Sequence, residues 1–283
     1  MLRTPAPACQ TTPGPTMTET DAFADSRDYV QSLARGLAVL RAFGGDTPTL
    51  SMADIAGRTG LSRAAARRLV LTLEHLGYVR AQGRDYALSP RVLELGLGFV
   101  GSLKLTDLAQ PHLEALAQRV HHSCSLAVLD GQSIVYVLRV PVQRLMTVSL
   151  SVGSRLPAYC ASLGRVLLSG LSDADLRSWL ERCHPSRLTA HTVTDTRRLR
   201  KLIEAAREDG YAYVEQELEL GLCSIAVPVH DRQERVVAAL NASIPYHADA
   251  RRLAVEKVLP ALRTTAAAIE RNLPARTLPP VSP

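Results

Sequence analysis

Arginine side chains are concentrated in one stretch of the sequence, residues 57–84. This stretch holds six arginines and a single acidic residue, Glu74. The arginines are Arg58, Arg63, Arg67, Arg68, Arg80 and Arg84. A local cluster of positive charge is what binds a phosphate backbone, because each contact releases condensed counterions from the nucleic acid. A solvated helix face that is rich in arginine has the same composition, so charge alone leaves both interpretations open.

A second group of residues could bind a small carboxylic acid. Four segments mix small, polar and apolar residues near predicted strand ends and a helix start, which suits a concave pocket with a few hydrogen-bonding groups. They are residues 145–148, 159–164, 221–224 and 241–243. Backbone N–H groups at the helix start would favour a carboxylate, and Arg144 or Arg155 could complete its recognition. Tight packing of strand ends also needs small residues, so the purely structural interpretation stays open.

Three other patterns do not predict an active or metal site. His121, His122 and Cys124 could coordinate a metal ion, but a zinc site usually has four ligands, and the sequence suggests no fourth one nearby. Cys160 has no activating base near it in the sequence, and a free cysteine is most often a small buried hydrophobic residue. A GxGxxG match at residues 96–101 follows no predicted strand, which a dinucleotide-binding loop requires. We therefore expect no catalytic residue, no metal site and no cofactor.

Two short helices and a hairpin would carry the arginines. Asp54 follows Ser51 by three positions, which is the spacing of a capping box at a helix start. The next helix would begin after Ser62, and two short helices joined by a glycine-bearing turn predict a helix-turn-helix. The predicted inward face of that next helix consists of Ala65, Leu69, Leu73 and Leu76. Two short alternating runs around Gln82-Gly83 predict a β-hairpin, so the motif would be winged.

The rest of the chain alternates between strand-like and helix-like patterns. Alternating apolar runs flank residues 130–132 and 230–234, which predicts two β-hairpins, and residues 145–152 are typical of a further strand. Helical periodicity is strong in residues 194–210, and a long helix is predicted from about residue 248 to residue 272. Adjacent hairpins favour a mostly antiparallel sheet with helices packed against it, so the predicted fold class is α+β with two domains.

Composition excludes several classes of protein. The 283 residues are 46% hydrophobic and 21% charged, which is typical of a globular chain and not of a disordered or fibrous one. No run of about 18 apolar residues is present, so a membrane-spanning helix is not expected. The N-terminal segment lacks the apolar stretch of a secretory signal, and the five cysteines form no CxxC pair, so we expect a cytoplasmic protein with reduced thiols.

The sequence predicts five segments. Residues 1–27 are rich in Thr, Pro and small residues and predict a disordered leader, and residues 274–283 predict a loose tail. Residues 28–90 would form the winged helix-turn-helix domain, and residues 106–273 a domain that binds the small acid. Residues 91–105 would form a linker helix that is too apolar for a solvated tether. We expect this helix to pair two copies of the chain in a symmetric dimer, unless it packs back on its own chain.

Several motifs, in the right order, resemble the IclR family of bacterial transcriptional regulators. In the first half they are YVQSLARGLAVLRAF and MADIAGRTGLSRAAARRLVLTLEHLGYV, followed by the wing YALSPRVLELG. In the second half they are VSLSVGSRLPAYCASLGRVLLS, GYAYVEQELELGLCSIAVPV and VVAALNASI. The segments RLMTVSLSVGSRLPAYCASLGRVLL and ELGLCSIAVPVHD are most similar to regulators of the β-ketoadipate pathway, a subgroup that senses protocatechuate, 4-hydroxybenzoate or β-ketoadipate.

The resemblance implies a winged helix-turn-helix, a dimerising linker helix and a GAF-like effector domain, assembled as dimers or dimers of dimers on an inverted-repeat operator in double-stranded DNA. The DNA-contacting residues would be Ser62, Arg63, Ala64, Arg67 and Arg68 in the recognition helix and Arg84 in the wing. The effector-binding residues would be Leu145, Val148, Ser162, Leu163, Ser224, Asn241 and Ser243. Many family members have Cys where this chain has Ser224 and Ser where it has Asn241, so the identity of the ligand is not implied.

Three functions are consistent with the sequence. The leading hypothesis is a DNA-binding transcriptional regulator that binds a small aromatic or dicarboxylic acid and controls genes of aromatic-acid catabolism. The second is an enzyme of aromatic catabolism that uses the C-terminal α/β domain. The third is a DNA-binding structural protein that has no ligand.

Overall fold

The computed structural model of the chain describes residues 23–24, 26–44, 48–95, 104–142 and 150–273. The chain forms two units, with the boundary near residue 98, and each has its own hydrophobic core. Among the described residues, no helix is long and apolar enough to span a membrane.

Described residues of the first unit form helices packed on a small antiparallel sheet. The helices are α1 (Gln31–Ala42), α2 (Met52–Thr59) and α3 (Arg63–His75). The strands are β1 (Thr49–Ser51), β2 (Val79–Gln82) and β3 (Asp85–Leu88), in the order β1-β3-β2. The predicted winged helix-turn-helix is confirmed. Strand β1 was not predicted, because three residues are too few to show an alternating pattern.

Side-chain caps fix where α2 and α3 begin. Ser51 Oγ accepts a hydrogen bond from Asp54 N at 3.2 Å, and the Asp54 carboxylate accepts one from Ser51 N at 3.1 Å, so the predicted capping box is present. Gly60 ends α2 in the left-handed conformation, with a φ of 66°. Ser62 caps α3, because its Oγ accepts from Ala65 N at 3.3 Å. The turn between the two helices is therefore set by local chemistry.

The inward face of α3 differs from the predicted one. Its buried residues are Ala66, Val70 and Leu73. Of the predicted set only Leu73 is buried, because Ala65 and Leu69 are half-buried and Leu76 is 47% exposed. Helix α3 has two neighbouring apolar stripes, one that begins at Ala65 and one that begins at Ala66. The stripe that begins at Ala66 is the one buried in the core of the first unit.

The second unit is built around a six-stranded sheet in which neighbouring strands are antiparallel. The strands are β4 (Ser123–Asp130), β5 (Ser133–Val140), β6 (Arg155–Pro157), β7 (Ala212–Glu215), β8 (Leu222–His230) and β9 (Val236–Pro245), in the order β6-β5-β4-β9-β8-β7. The helices are α4 (Lys104–Val120), α5 (Ser162–Ser169), α6 (Asp173–Arg182), α7 (Thr196–Asp209), α8 (Ala250–Leu253) and α9 (Leu259–Asn272). The predicted α+β class and mostly antiparallel sheet are confirmed.

Both faces of this sheet pack against a hydrophobic core. Successive residues of a strand point to opposite faces, so neighbouring residues of one strand belong to different cores. In β9, Leu240 and Ala242 belong to a core that includes residues of α4 and α9. Ala239 points the other way, into a core that includes Leu163 of α5 and Trp179 of α6. We call this second side the α5 face of the sheet.

Some predicted elements of the second unit change. Residues 150–152 do not form a strand, and residues 143–149 lie outside the described residues, so the strand predicted over residues 145–152 is wrong where it can be seen. Strands β6 and β7 were not predicted, because they are three and four residues long. The C-terminal helix begins at Ala250 and contains a π-helical turn at Ala254–Val258 between α8 and α9.

The linker is described only at its start. Pro90–Val92 forms a 3₁₀ turn, and Leu93 and Leu95, which follow it, are 69% and 55% exposed. Residues 96–103, which include the GxGxxG match, lie outside the described residues. The visible part of the linker therefore presents leucine side chains to solvent.

Candidate functional site

The residues predicted to contact DNA share one exposed surface at the start of α3. Ser62, Arg63, Ala64, Arg67 and Arg68 are all exposed. Arg63 and Arg67 are four residues apart and therefore project from the same side of the helix. This surface lies away from the buried stripe of α3, so its side chains are free to enter a groove of DNA.

Positive charge on this surface is not neutralised by neighbouring acids. Among the described residues, Arg63, Arg67 and Arg68 form no ion pair. Glu74, the acid of this stretch, accepts a hydrogen bond from Ala81 N at 3.2 Å and so ties α3 to β2. The surface can therefore attract a polyanion.

Arg84 and Arg58 have different surroundings. Arg84 is exposed in the turn between β2 and β3, after Gly83, whose φ is 67°. The turn residues are Gly83-Arg84, one position later than predicted, because Gln82 pairs with Asp85. Arg58 donates to the Ala42 carbonyl oxygen at 3.0 Å and so joins α2 to the end of α1. The Arg84 side chain is therefore accessible to a binding partner such as DNA, whereas the Arg58 side chain holds two helices of the same chain together.

A narrow, partly open pocket lies between α5 and the sheet of the second unit. Five of the seven predicted effector-binding residues line it: Ser162, Leu163, Ser224, Asn241 and Ser243. The other two, Leu145 and Val148, lie outside the described residues, as does Arg144. The enclosed space of the pocket, about 20 Å³, is far smaller than the roughly 300–1,000 Å³ of typical ligand pockets, so the polar lining and not the size points to a ligand.

Strand pairing brings the polar residues of the pocket together. Ser224 of β8 and Ser243 of β9 are direct cross-strand partners. Asn241 precedes Ser243 by two residues and so points to the same face. Asn241 is also the cross-strand partner of Ser125 in β4. Ser224, Asn241 and Ser243 line the pocket, and together with Ser125, which lies outside its lining, they form a polar patch on the otherwise apolar α5 face.

Two buried polar atoms in the pocket have no hydrogen-bond partner among the described residues. They are Ser162 Oγ and Asn241 Oδ1, on side chains of residues that are 1% and 3% exposed. A buried polar group without a partner costs about 1–3 kcal/mol, so native proteins seldom leave one unpaired without a reason. A polar ligand in the pocket would supply both partners.

The start of α5 is presented to the same pocket. Its N-cap residue is Ala161, which has no side chain that could cap the first N–H groups, and Ala161 and Ser162 line the pocket. Gly164 lies in this first turn and packs against the backbone of Ala158, where a Cβ atom would overlap the Ala158 carbonyl oxygen. Glycine is therefore required for α5 to approach this closely.

A buried ion pair holds α5 against the loop that follows β7. Arg165 Nη2 donates to Glu217 Oε2 at 2.7 Å, and the two side chains are 4% and 8% exposed. The same carboxylate oxygen accepts a hydrogen bond from Val193 N at 3.1 Å, and Arg165 Nε donates to the Tyr159 carbonyl oxygen at 3.2 Å. The Arg165 charge is thus neutralised inside the protein.

Sequence reasoning missed several lining residues. They are Tyr136, Leu156, Cys160, Ala161, Val214, Glu217, Leu218 and Leu222. Cys160, Ala161 and Leu222 lie inside segments that had been singled out, but the others reach the pocket through strand pairing and loop closure, for which the sequence carries no local signal. Arg155, considered as a carboxylate partner, forms a surface ion pair with Asp130 instead.

The thiol and phenol groups beside the pocket are held in their neutral forms. Burial raises the pKa of Cys160 to about 12, with a further contribution from the Glu217 charge. Burial also raises the pKa of Tyr136 to about 12. A nucleophilic cysteine needs a depressed pKa, so Cys160 is a poor nucleophile. The described residues contain no group of three or more His, Cys, Asp or Glu side chains that could hold a metal ion.

Two family models match the chain along most of its length. The IclR helix-turn-helix domain matches residues 32–83, and the C-terminal domain of the bacterial transcriptional regulator IclR matches residues 98–271. The chain belongs to the IclR family. It is therefore a DNA-binding transcriptional regulator and not an enzyme, as the leading hypothesis predicted.

Three IclR-type proteins are similar over most of their length. The Pca regulon regulatory protein of Pseudomonas putida is 45% identical over 78% of this chain and 77% of its own. The p-hydroxybenzoate hydroxylase transcriptional activator of Acinetobacter baylyi is 38% identical over 88% and 93%. An IclR homolog from Microbacterium hydrocarbonoxydans, solved in complex with 4-hydroxybenzoate, is 31% identical over 87% and 100%, with a TM-score of 0.77. The predicted resemblance to the β-ketoadipate subgroup is confirmed.

The buried ion pair gives a stability prediction. Replacing Glu217 with Gln leaves the Arg165 charge buried without a counter-charge, and breaking a buried pair in this way costs about 3–5 kcal/mol. We expect urea unfolding of Glu217→Gln, followed by the fluorescence of Trp179, to begin at a clearly lower urea concentration. Trp179 is the one tryptophan of the chain and lies buried in the second unit, so it reports on this unit.

The matched control for this variant is Glu204→Gln. It removes an ion pair with Arg200 on α7 in which the two side chains are 41% and 42% exposed, against 4% and 8% in the buried pair. Exposed pairs contribute little to stability, so its unfolding curve should overlay that of the wild type. Equal midpoints for Glu217→Gln and Glu204→Gln would contradict the structural role of the buried pair.

Proposed function

We propose that this IclR-type regulator binds an operator through α3 and the wing, and that a small aromatic acid in the pocket beside α5 changes its affinity for that operator. The observation that carries the proposal is the pair of buried polar atoms, Ser162 Oγ and Asn241 Oδ1, that lack partners within the described chain. If this region served only for packing, burying two polar atoms without hydrogen-bond partners would cost stability with no compensating gain. This favours a ligand-responsive regulator over a DNA-binding protein without a ligand.

The DNA-binding surface would act through the predicted residues Ser62, Arg63, Ala64, Arg67, Arg68 and Arg84. Residues at the start of a recognition helix enter the major groove, where an arginine can pair bidentately with guanine. Arg63 and Arg67 project from the same side of α3, so one of them can reach a base edge while Arg68 and Arg84 contact phosphates. Bound to chromosomal DNA, the regulator would act in the bacterial cytoplasm.

We expect Arg67→Ala to weaken operator binding and to blur sequence preference, because a good base contact is worth about 1–3 kcal/mol of discrimination. Arg84→Ala should weaken binding to all DNA sequences and reduce its salt dependence. Fluorescence anisotropy measures both effects on an operator selected from genomic fragments and on a scrambled duplex.

Arg177→Ala is the matched control for the DNA experiment. It removes one exposed positive charge from α6 in the second unit, so it tests whether charge anywhere on the chain suffices. We expect its operator affinity to equal that of the wild type. A folded Arg63→Ala/Arg67→Ala double variant that retains full operator affinity would remove this assignment of the recognition surface.

The effector would be an aromatic acid of β-ketoadipate metabolism, with 4-hydroxybenzoate and protocatechuate as the leading candidates and β-ketoadipate as the dicarboxylic alternative. The polar patch and an uncapped helix start suit such a molecule. The relatives named above support an aromatic acid, since one was solved with 4-hydroxybenzoate and another is a transcriptional activator of p-hydroxybenzoate hydroxylase. Leu145, Val148 and Leu163 would pack against the ring. The genes controlled would be those of aromatic-acid catabolism.

We expect Ser224→Leu to lose effector binding, because the larger side chain fills the pocket and removes a hydroxyl from the polar patch. Isothermal titration calorimetry with the three acids should show binding of at least one to the wild type and a loss of more than about tenfold in the variant, which is about 1.4 kcal/mol. Ser178→Leu, at an exposed position of α6, is the matched control and should bind normally. No heat with any of the three acids in the wild type would contradict the proposed effector class.

The linker at residues 91–105 would join two copies of the chain, as a dimer or a dimer of dimers. Exposed leucines mark an interface, and a two-fold axis matches an inverted-repeat operator. We expect light scattering to give two or four times the chain mass of 30.7 kDa, and Leu93→Lys/Leu95→Lys to lower that value. A wild-type monomer at working concentration would overturn this assembly.

A further inference from the structure

Arg139 lies next to the Ser125 end of the polar patch, outside the residues that line the pocket, and belongs to neither the DNA surface nor the buried ion pair. Ser125 of β4 is the direct cross-strand partner of Arg139 on one side and of Asn241 on the other. Direct partners in a sheet share a face, so the Arg139 side chain is on the α5 face. The three residues form one row across β5, β4 and β9.

The Arg139 guanidinium lacks a counter-charge. Its Nη1 donates to Ser125 Oγ at 3.0 Å, and its central carbon lies 5.8 Å from the centre of the Tyr136 ring, which lines the pocket. Among the described residues, no carboxylate pairs with it. Arg139 is half-buried, and a charge withdrawn from water is normally paired. This contrasts with Arg165, whose charge Glu217 neutralises.

The Arg139 guanidinium, which lacks a counter-charge, and Asn241 Oδ1, which lacks a hydrogen-bond donor, could bind the two ends of one molecule. Arginine has five N–H donors and no acceptor, so Arg139 needs an acceptor, which a carboxylate supplies bidentately. Asn241 Oδ1 is an unpartnered acceptor and needs a donor, which a carboxylate cannot supply but a hydroxyl can. Adjacent strands are about 4.8 Å apart, so the backbones of Arg139 and Asn241 are separated by about 10 Å, and the two side chains can reach opposite ends of a small aromatic acid.

We infer that Arg139 binds the carboxylate of the effector, while Asn241 and Ser162 bind a hydroxyl at its other end. This inference rests on the proposed function of the pocket and makes it more specific. The effector is a hydroxylated aromatic monocarboxylate, since a dicarboxylate has no hydroxyl donor for Asn241. The backbone N–H groups at the start of α5, predicted to favour a carboxylate, would instead donate to the hydroxyl oxygen.

The test is calorimetric binding of 4-hydroxybenzoate and of its neutral analogue 4-hydroxybenzamide to wild type, Arg139→Met and Arg139→Lys. A hydrogen bond to a charged group corresponds to about 10- to 100-fold in affinity. We expect Arg139→Met to weaken binding of the acid by at least about tenfold and to weaken binding of the amide, whose carbonyl oxygen accepts only an uncharged hydrogen bond, clearly less, with Arg139→Lys intermediate for the acid. Arg155→Met is the matched control, because Arg155 is an exposed arginine paired with Asp130 near the same sheet edge.

Other outcomes would contradict either the role of Arg139 or the proposed function of the pocket. Equal acid affinity for wild type and Arg139→Met, or equal losses for acid and amide, would overturn the role of Arg139 while leaving the pocket in place. Wild-type protein that binds none of 4-hydroxybenzoate, protocatechuate and β-ketoadipate would overturn the proposed function itself. If Arg139→Met does not fold, the wild type alone decides, because equal affinity for the acid and the amide is incompatible with carboxylate recognition by Arg139.

Discussion

The buried pairing of Arg165 with Glu217 fixes the one wall of the pocket that the sheet does not provide. Arg165 lies in α5, and Glu217 lies in the loop after β7, so the pair joins two elements that are 52 residues apart in the chain. The Glu217 backbone oxygen also accepts a hydrogen bond from Thr192 Oγ1 at 2.7 Å. Two chain segments and a helix therefore meet at Glu217. A charge pair in this position repays its desolvation only when such hydrogen bonds are complete.

The sheet supplies the other wall, and its two faces have different roles. One face packs with α4 and α9 and is apolar, so its burial stabilises the unit. The α5 face carries a polar patch in an otherwise apolar core, and the described chain does not fully satisfy that patch. Apolar side chains at the positions of the polar patch would avoid the cost of unpaired buried polar groups and so give a more stable core. The polar residues at these positions are explained by a ligand that contributes the missing hydrogen bonds, which links binding to the order of the pocket.

Local signals in the sequence were enough to predict the helix-turn-helix and the main hairpins. The capping box of Ser51 and Asp54 and the cap at Ser62 depend on residues three positions apart, so they can be recognised without a structure. The inward face of α3 was misassigned because two apolar stripes lie side by side, and only contact with α1 and α2 selects Ala66, Val70 and Leu73.

The candidate pocket was predictable only where motif resemblance named its residues. Ser162, Leu163, Ser224, Asn241 and Ser243 were located in this way. Glu217 and Arg139 were not, because their roles arise from loop closure and from the register of β5 on β4, which shifts by a bulge between Leu126 and Ala127. A sequence pattern of period two cannot reveal such a shift.

The central claim is that occupancy of the pocket changes the affinity of the helix-turn-helix for its operator. The most direct measurement is the dissociation constant of the operator complex as a function of 4-hydroxybenzoate concentration, with benzamide as the unrelated control. The account predicts a saturable change of about 5- to 150-fold, the range of typical allosteric coupling, at acid concentrations that match calorimetric binding. An operator affinity that stays constant while the acid saturates the protein would contradict it.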